Sequence, residues 1–144
     1  MGKKRIASKG EIEGDKEGPA KGSGRAAGKR HSSGILHIQS TYNNTKMLLA
    51  DPLGNSLAWS SSGTLGFKGA KKGTPFAASK VGEVLAEKAG TIGIKEVSVA
   101  INGVGAGREA ALRSFLSKGI GILTISDVTP VPHNGPRARK PRRV

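Results

Sequence analysis

The chain has 144 residues, 35% hydrophobic and 24% charged, with a net charge of +14 and no cysteine. That length suits one domain with a real core and is short for two. The missing cysteine excludes disulfides, thiolate catalysis and Cys-based zinc sites, and no apolar run approaches the ~20 residues that span a bilayer.

The charge is uneven. Residues 1–34 carry nine Lys/Arg against four Asp/Glu, residues 35–129 ten against six, and residues 130–144 five against none. A mildly basic centre thus sits between two strongly basic ends. The start, MGKKRIASKGEIEGDK, lacks the apolar stretch of a secretion signal, and Ile6 breaks the N-myristoylation pattern. A soluble intracellular protein is expected. Residues 1–33 hold only Ile6 and Ile12 as large aliphatics, too little apolar surface to offset ordering entropy, so a flexible tail is expected there.

From Gly34 the texture changes. ILHIQST (35–41), KMLLA (46–50) and LAWSSS (57–62) read as strands, and DPLGN (51–55) as the hairpin turn between the last two, with Pro52 presetting φ and Gly54 accepting positive φ. SGTLGFKGAKKGT (62–74), with four glycines and three lysines, reads as an exposed loop. A helix follows: Thr74 caps it, Pro75 suits its first position, Ala77, Val81, Val84 and Leu85 share a face, and Gly90 is a plausible stop. EVSVAI (96–101) alternates as a half-buried strand does. NGVGAG (102–107) turns into a second helix with Leu112, Phe115 and Leu116 on its apolar face and Gly119 beyond its end, and GILTISDV (121–128) is a last strand.

The order βββαβαβ predicts a single α/β domain over residues 34–129, a mixed five-stranded sheet flanked by helices. The residues beyond, TPVPHNGPRARKPRRV (129–144), hold four prolines, five Lys/Arg and no acid. Such a segment forms neither helix nor central strand, so an extended basic arm over residues 130–144 is expected, ordered by a polyanion.

Candidate contacts follow from residue type. Lys68, Lys71 and Lys72 in the glycine loop read either as a solvated cluster or as phosphate ligands that the glycines let another surface approach. GVGAGRE (103–109) lies between a strand and a helix, where backbone N–H groups can cradle a phosphate beside Arg108; a purely structural turn is the other reading. It is no cofactor fingerprint, because G-x-G-x-G is not G-x-G-x-x-G, and no nucleotide cofactor is expected. Asn43 and Asn44 suit a turn, and their amides also suit RNA bases or 2′-hydroxyls. Lys46 joins this set as an RNA-binding candidate.

Catalysis finds no support. Asp51, Glu83, Glu87, Glu96, Glu109 and Asp127 are dispersed, His31, His37 and His133 lack metal-ligand spacing, and Ser60–Ser62 form no nucleophile elbow. A DNA-binding architectural protein needs a groove-reading helix, and neither predicted helix has a basic face. A nuclease on the same fold is the other rival.

Four stretches together are specific. GILHIQSTYNNT (34–45), GFKGAKKGTPFAA (66–78), INGVGAGREAALRSF (101–115) and ISDVTPVPHNGPR (125–137) resemble the signature stretches of small-subunit ribosomal protein S-eleven in its bacterial or organellar form, in unbroken order over about residues 30–144. The resemblance implies a three-layer, ribonuclease-H-like α/β domain without catalytic acids, a non-enzymatic part of the small-subunit platform that bridges ribosomal RNA helices near the messenger exit and Shine-Dalgarno cleft. It implies ribosomal proteins S-seven and S-eighteen as partners, messenger RNA and initiation factor three as neighbours, and residence in a cytoplasmic or organellar ribosome. Carried over by motif, the RNA-facing residues are Asn43, Asn44, Lys68, Lys71, Lys72, Arg108, His133, Asn134, Arg137, Arg139, Lys140, Arg142 and Arg143. In the arm, Pro136 stands where the family commonly has cysteine and the downstream proline is displaced to Pro141, which shifts the register of the arginines.

Overall fold

The computed structural model describes residues 31–143, so the tail expected over residues 1–33 lies almost wholly outside the described residues. Three antiparallel strands open the domain: β1 (Ser33–Ser40), β2 (Thr45–Ala50) and β3 (Ser56–Ser61). A 3-10 turn over Gly69–Gly73 leads into α1 (Pro75–Ile92), followed by β4 (Glu96–Asn102), α2 (Arg108–Leu116) and β5 (Gly121–Asp127). The strands form one mixed sheet in the order β3-β2-β1-β4-β5, with β4 parallel to both β1 and β5. The α/β class, the βββαβαβ order and the five strands are those read from the sequence.

Period-two alternation selects the core. Leu36, Ile38, Met47, Leu49, Val97, Val99 and Ile101 point to one face and pack with Val81, Leu85, Ala86 and Ala89 of α1 and Ala111 and Phe115 of α2. Both helices therefore cover the same face. The crossovers β3-to-β4 and β4-to-β5 run in the same direction across the sheet, and right-handed connections running the same way place their helices together. Against the three-layer expectation, among the described residues the opposite face carries no helix, and His37, Gln39, Lys46 and Trp59 are exposed on it.

Small residues set the helix spacing. Ala77, Ala78, Gly82, Ala86 and Ala89 are all buried on α1, and a Cβ on Gly82 would lie 2.5 Å from the carbonyl oxygen of Ala111 on α2. Thr74 caps α1 as expected, its hydroxyl accepting from the Ala77 N–H at 3.3 Å. The stop is not Gly90 but Gly93, in the left-handed region at φ 94° with its N–H donating to Ala89 O. Gly90 sits on the solvent side, where a helix tolerates glycine, and the left-handed cap forms three residues later. The 62–74 loop also differs from the open loop expected, since its Gly-Ala-Lys-Lys-Gly stretch winds into the 3-10 turn.

At the opposite end from the helix starts, the 51–55 hairpin closes on Asp51. Its carboxylate accepts from the Leu53 N–H at 2.8 Å, the Asn55 N–H at 3.0 Å and the Asn55 side-chain amide at 3.1 Å. The Asn55 side-chain bond, aided by the two backbone donors, holds this carboxyl below its ordinary value of 3.8. A depressed folded pKa stabilises at every pH above the unfolded value and is lost only as the pH falls through the folded one. The Leu53 and Asn55 amides should therefore stay protected from exchange down to about pH 4 and lose protection below it, as NMR hydrogen exchange across that range will show.

Two glycine substitutions on α1 should have opposite signs. Gly90→Ala meets nothing within 4 Å and should gain up to about 1 kcal/mol of helix propensity. Gly82→Ala gains the same propensity but drives a methyl into the α2 backbone, an overpacking that costs about 1–3 kcal/mol. Thermal denaturation should show a raised Tm for the first and a lowered Tm for the second.

Candidate nucleic-acid interface

The 41–44, 62–74 and 102–107 loops singled out for contacts leave the sheet at one end. β1, β4 and β5 finish there, β2 starts there, and both helices begin there. From the adjacent strands β1 and β4 the chain departs in opposite directions, toward β2 and toward β5, the topological position at which open α/β sheets receive ligands.

Glycine makes the loops fit. The Gly105 N–H donates to the Ser40 carbonyl at 2.9 Å, and a Cβ on Gly103 or Gly105 would run into the Ser40 and Thr41 carbonyls. A Cβ on Gly107 would lie 2.5 Å from Thr45 Oγ1 and 2.7 Å from Ala78 Cβ. The Gly73 backbone lies as closely against the Tyr42 carbonyl. The 41–44 turn is thus held between the 62–74 segment on one side and the 103–107 turn on the other.

Ser62 binds two of these segments together. Its single hydroxyl proton is shared between Asn44 Oδ1 at 2.5 Å and the Lys72 carbonyl at 2.9 Å, and its N–H donates to the Thr45 carbonyl at 3.0 Å. Asn44 is therefore part of the scaffold, while Tyr42 and Asn43 stand exposed at the tip of the turn closed by Thr41. A shallow hollow lined by Gln39, Thr41, Asn44 and Lys46 joins the turn to the uncovered face of the sheet. Sequence reading missed Ser62, because a serine in a strand-end triplet announces nothing until the partner loops arrive.

Lys68, just before the 3-10 turn that precedes α1, and Lys71 on it are exposed, and Lys72 on the same turn is half-buried. The first turn of α1 contains no acid, so the lysines add to the partial positive charge of the helix start. In the first turn of α2, Glu109 faces solvent with Arg113 3.8 Å away.

Arg108 is half-buried and already engaged with partners in this chain. Its guanidinium donates to the Gly103 carbonyl and to the Asp127 carboxylate. Beyond Asp127 the arm continues with no regular secondary structure, and His133, Asn134, Arg137, Arg139, Lys140, Arg142 and Arg143 are exposed along it. Asn134 adopts φ 54°, a left-handed conformation that asparagine tolerates better than most residues. The arm leaves from the same end as the loops, since Gly103 N–H donates to Thr129 Oγ1 at 3.1 Å.

No three His, Asp or Glu side chains among the described residues stand close enough to share a metal ion, and no described helix is long and apolar enough to cross a membrane. A family model for ribosomal protein S11 matches residues 34–143. The chain belongs to the ribosomal protein S11 family. It is similar to the small ribosomal subunit protein uS11 of Synechococcus sp. and to that of Synechococcus elongatus, at 51% identity over 127 residues in each case, covering 88% of this chain and 98% of the relative. Membership makes it a structural, non-enzymatic constituent of the small ribosomal subunit in translation, with ribosomal RNA and ribosomal proteins as partners. The end of the sheet, with its loops, helix starts and arm, is where S11-family motifs of this chain converge.

Gly107→Val tests the close approach. Its side chain has no room beside Thr45 and Ala78, so a destabilisation of about 1–3 kcal/mol is expected, with a lower midpoint in urea unfolding at unchanged slope.

Proposed function

We propose that this chain is a multi-point ribosomal-RNA clamp. The loop end of the sheet docks through Asn43, on the turn that Asn44 holds in place, and through Lys46, Lys68, Lys71 and Lys72, and the arm threads between RNA helices through His133, Asn134, Arg137, Arg139, Lys140, Arg142 and Arg143. The observation that carries this is the common origin of both parts: glycine-packed loops, two helix starts and the root of the arm share one end of the sheet. Arginine suits the arm because its planar fork can bind phosphate bidentately and stack on bases.

In this reading the chain sits on the platform near the messenger exit and Shine-Dalgarno cleft of a cytoplasmic ribosome. Ribosomal proteins S-seven and S-eighteen adjoin it, with messenger RNA and initiation factor three nearby. Its three parts are the tail (1–33), the RNA-binding domain (34–129) and the arm (130–144). The family resemblance supports this location, and the gathered loops and extended basic arm support the RNA contact.

Salt dependence of binding to small-subunit ribosomal RNA is the test. Each neutralised phosphate adds roughly 0.7–0.9 to the slope of log affinity against log salt. Replacing Lys68, Lys71 and Lys72 together by alanine should lower the slope by about 2, and replacing the five arm cations by glutamine by up to about 4. Slopes unmoved by both changes, or equal affinity for duplex DNA at near-physiological salt, would remove the clamp.

A further inference from the structure

The arm is fastened to the domain at its root by a closed set of hydrogen bonds. Asp127 is the last residue of β5, and Thr129 follows two positions on. The Asp127 Oδ1 accepts from the Thr129 N–H at 2.9 Å and from the Thr129 hydroxyl at 2.6 Å, while Oδ2 accepts from Arg108. The Thr129 hydroxyl oxygen in turn accepts from the Gly103 N–H at 3.1 Å, and the Arg108 guanidinium reaches both the Gly103 carbonyl and, at 3.4 Å, Thr129 Oγ1. Between them, the Val128 N–H donates to the Ile101 carbonyl at 2.8 Å.

Arg108, Gly103, Asp127 and Thr129 thus link three segments: the start of α2, the turn after β4 and the root of the arm. The Thr129 hydroxyl and the Arg108 fork hold the Asp127 carboxyl well below the usual carboxylate range, so it remains ionised at neutral pH. After Thr129, Pro130 and Pro132 limit the backbone that follows. A direction fixed at Thr129 therefore propagates into the residues that carry the arm's charge.

We infer that Arg108, Asp127 and Thr129 form a latch that sets the exit direction of the arm, and that Arg108 acts on RNA binding as a positioning residue through that latch. This rests on the arm binding RNA. Arg108 is the first residue of α2, beside the glycine turn, where a basic residue invites assignment as a phosphate ligand. Its hydrogen bonds instead go to groups of this chain, among them a half-exposed carboxylate that a phosphate ligand would have to displace.

The two roles give opposite signs in full-length protein titrated with small-subunit ribosomal RNA. With a latch, Arg108→Ala, Asp127→Ala and Thr129→Val each weaken binding by about three- to tenfold, because an arm free to swing must be ordered on binding. The salt slope stays at its native value, and the Arg108→Ala/Asp127→Ala double variant is no weaker than either single. Arg108→Lys keeps the charge, loses the fork and behaves like Arg108→Ala.

With a direct phosphate contact, Asp127→Ala tightens binding by freeing Arg108 and removing a negative charge. Arg108→Ala then lowers the slope by roughly 0.7–0.9, and Thr129→Val, which alters no charge, changes nothing. Any of these three results overturns the latch. Thr129→Val also keeps the question open to test where removal of a charged partner unfolds the chain.

The same titration in a chain whose five arm cations are glutamine separates this inference from the clamp. If glutamine replacement weakens binding and Arg108→Ala then adds nothing, the latch stands. If Arg108→Ala costs as much with the neutral arm as with the native one, the latch is wrong and the clamp survives. If glutamine replacement leaves affinity and slope unchanged, the arm's role in the clamp fails, and the latch with it.

Discussion

The backbone of the Gly103–Gly107 turn lies directly on the carbonyls at the end of β1, a contact in which a side chain on Gly103 or Gly105 has no place. Several positions follow from it. It fixes where α2 begins, hence where Arg108 stands, hence where the strand-end carboxylate and the root of the arm can be caught. On its other side it supports the Thr41–Asn44 turn, which Ser62 ties to Lys72 and the start of α1. A larger residue at this point would displace every segment proposed to meet RNA.

The division of labour between the faces of the sheet has a comparable physical origin. Two crossovers running the same way gather both helices over Leu36, Ile38, Val97 and Val99, and the alanine- and glycine-lined crossing of α1 and α2 lets one hydrophobic face be covered compactly. Among the described residues the charged side chains lie outside this core, on the loops, the helix surfaces, the uncovered face and the arm. In the proposed clamp stability and recognition use different atoms, so the lysine loop and the arm can change charge without touching the core.

The elements were legible because each rests on a local signal. Alternation marked Val97, Val99 and Ile101, Thr74 and Pro75 marked the start of α1, and Pro52 and Gly54 marked the hairpin. The choice between Gly90 and Gly93 was not local: both can end a helix, and only the run of the chain into buried Ile94 and β4 decides. The exposed lysine loop was legible in composition but not in its 3-10 winding. Arg108 showed its charge in the sequence and hid its partner, since Asp127 lies nineteen residues away and meets it only across the β4–β5 pairing. The Asp-x-Thr spacing at the end of a strand was the available signal for that carboxylate, as aspartate commonly bonds the backbone two residues on.

The parallel pairing of β1 with β4 has a consequence for the order of events in time. Leu36 aligns with Val99, so about sixty residues must emerge from the synthesising ribosome before the central strand gains its second neighbour, a long-range closure of the kind that slows folding. Until then β1 to β3 make a meander with one side unzipped, and the end of β1 lacks the glycine turn that packs on it. The cationic arm follows β5 in the chain and is translated after the sheet that anchors it is complete in sequence. A nascent chain therefore holds its most adhesive segment in reserve until the platform for aiming it can exist.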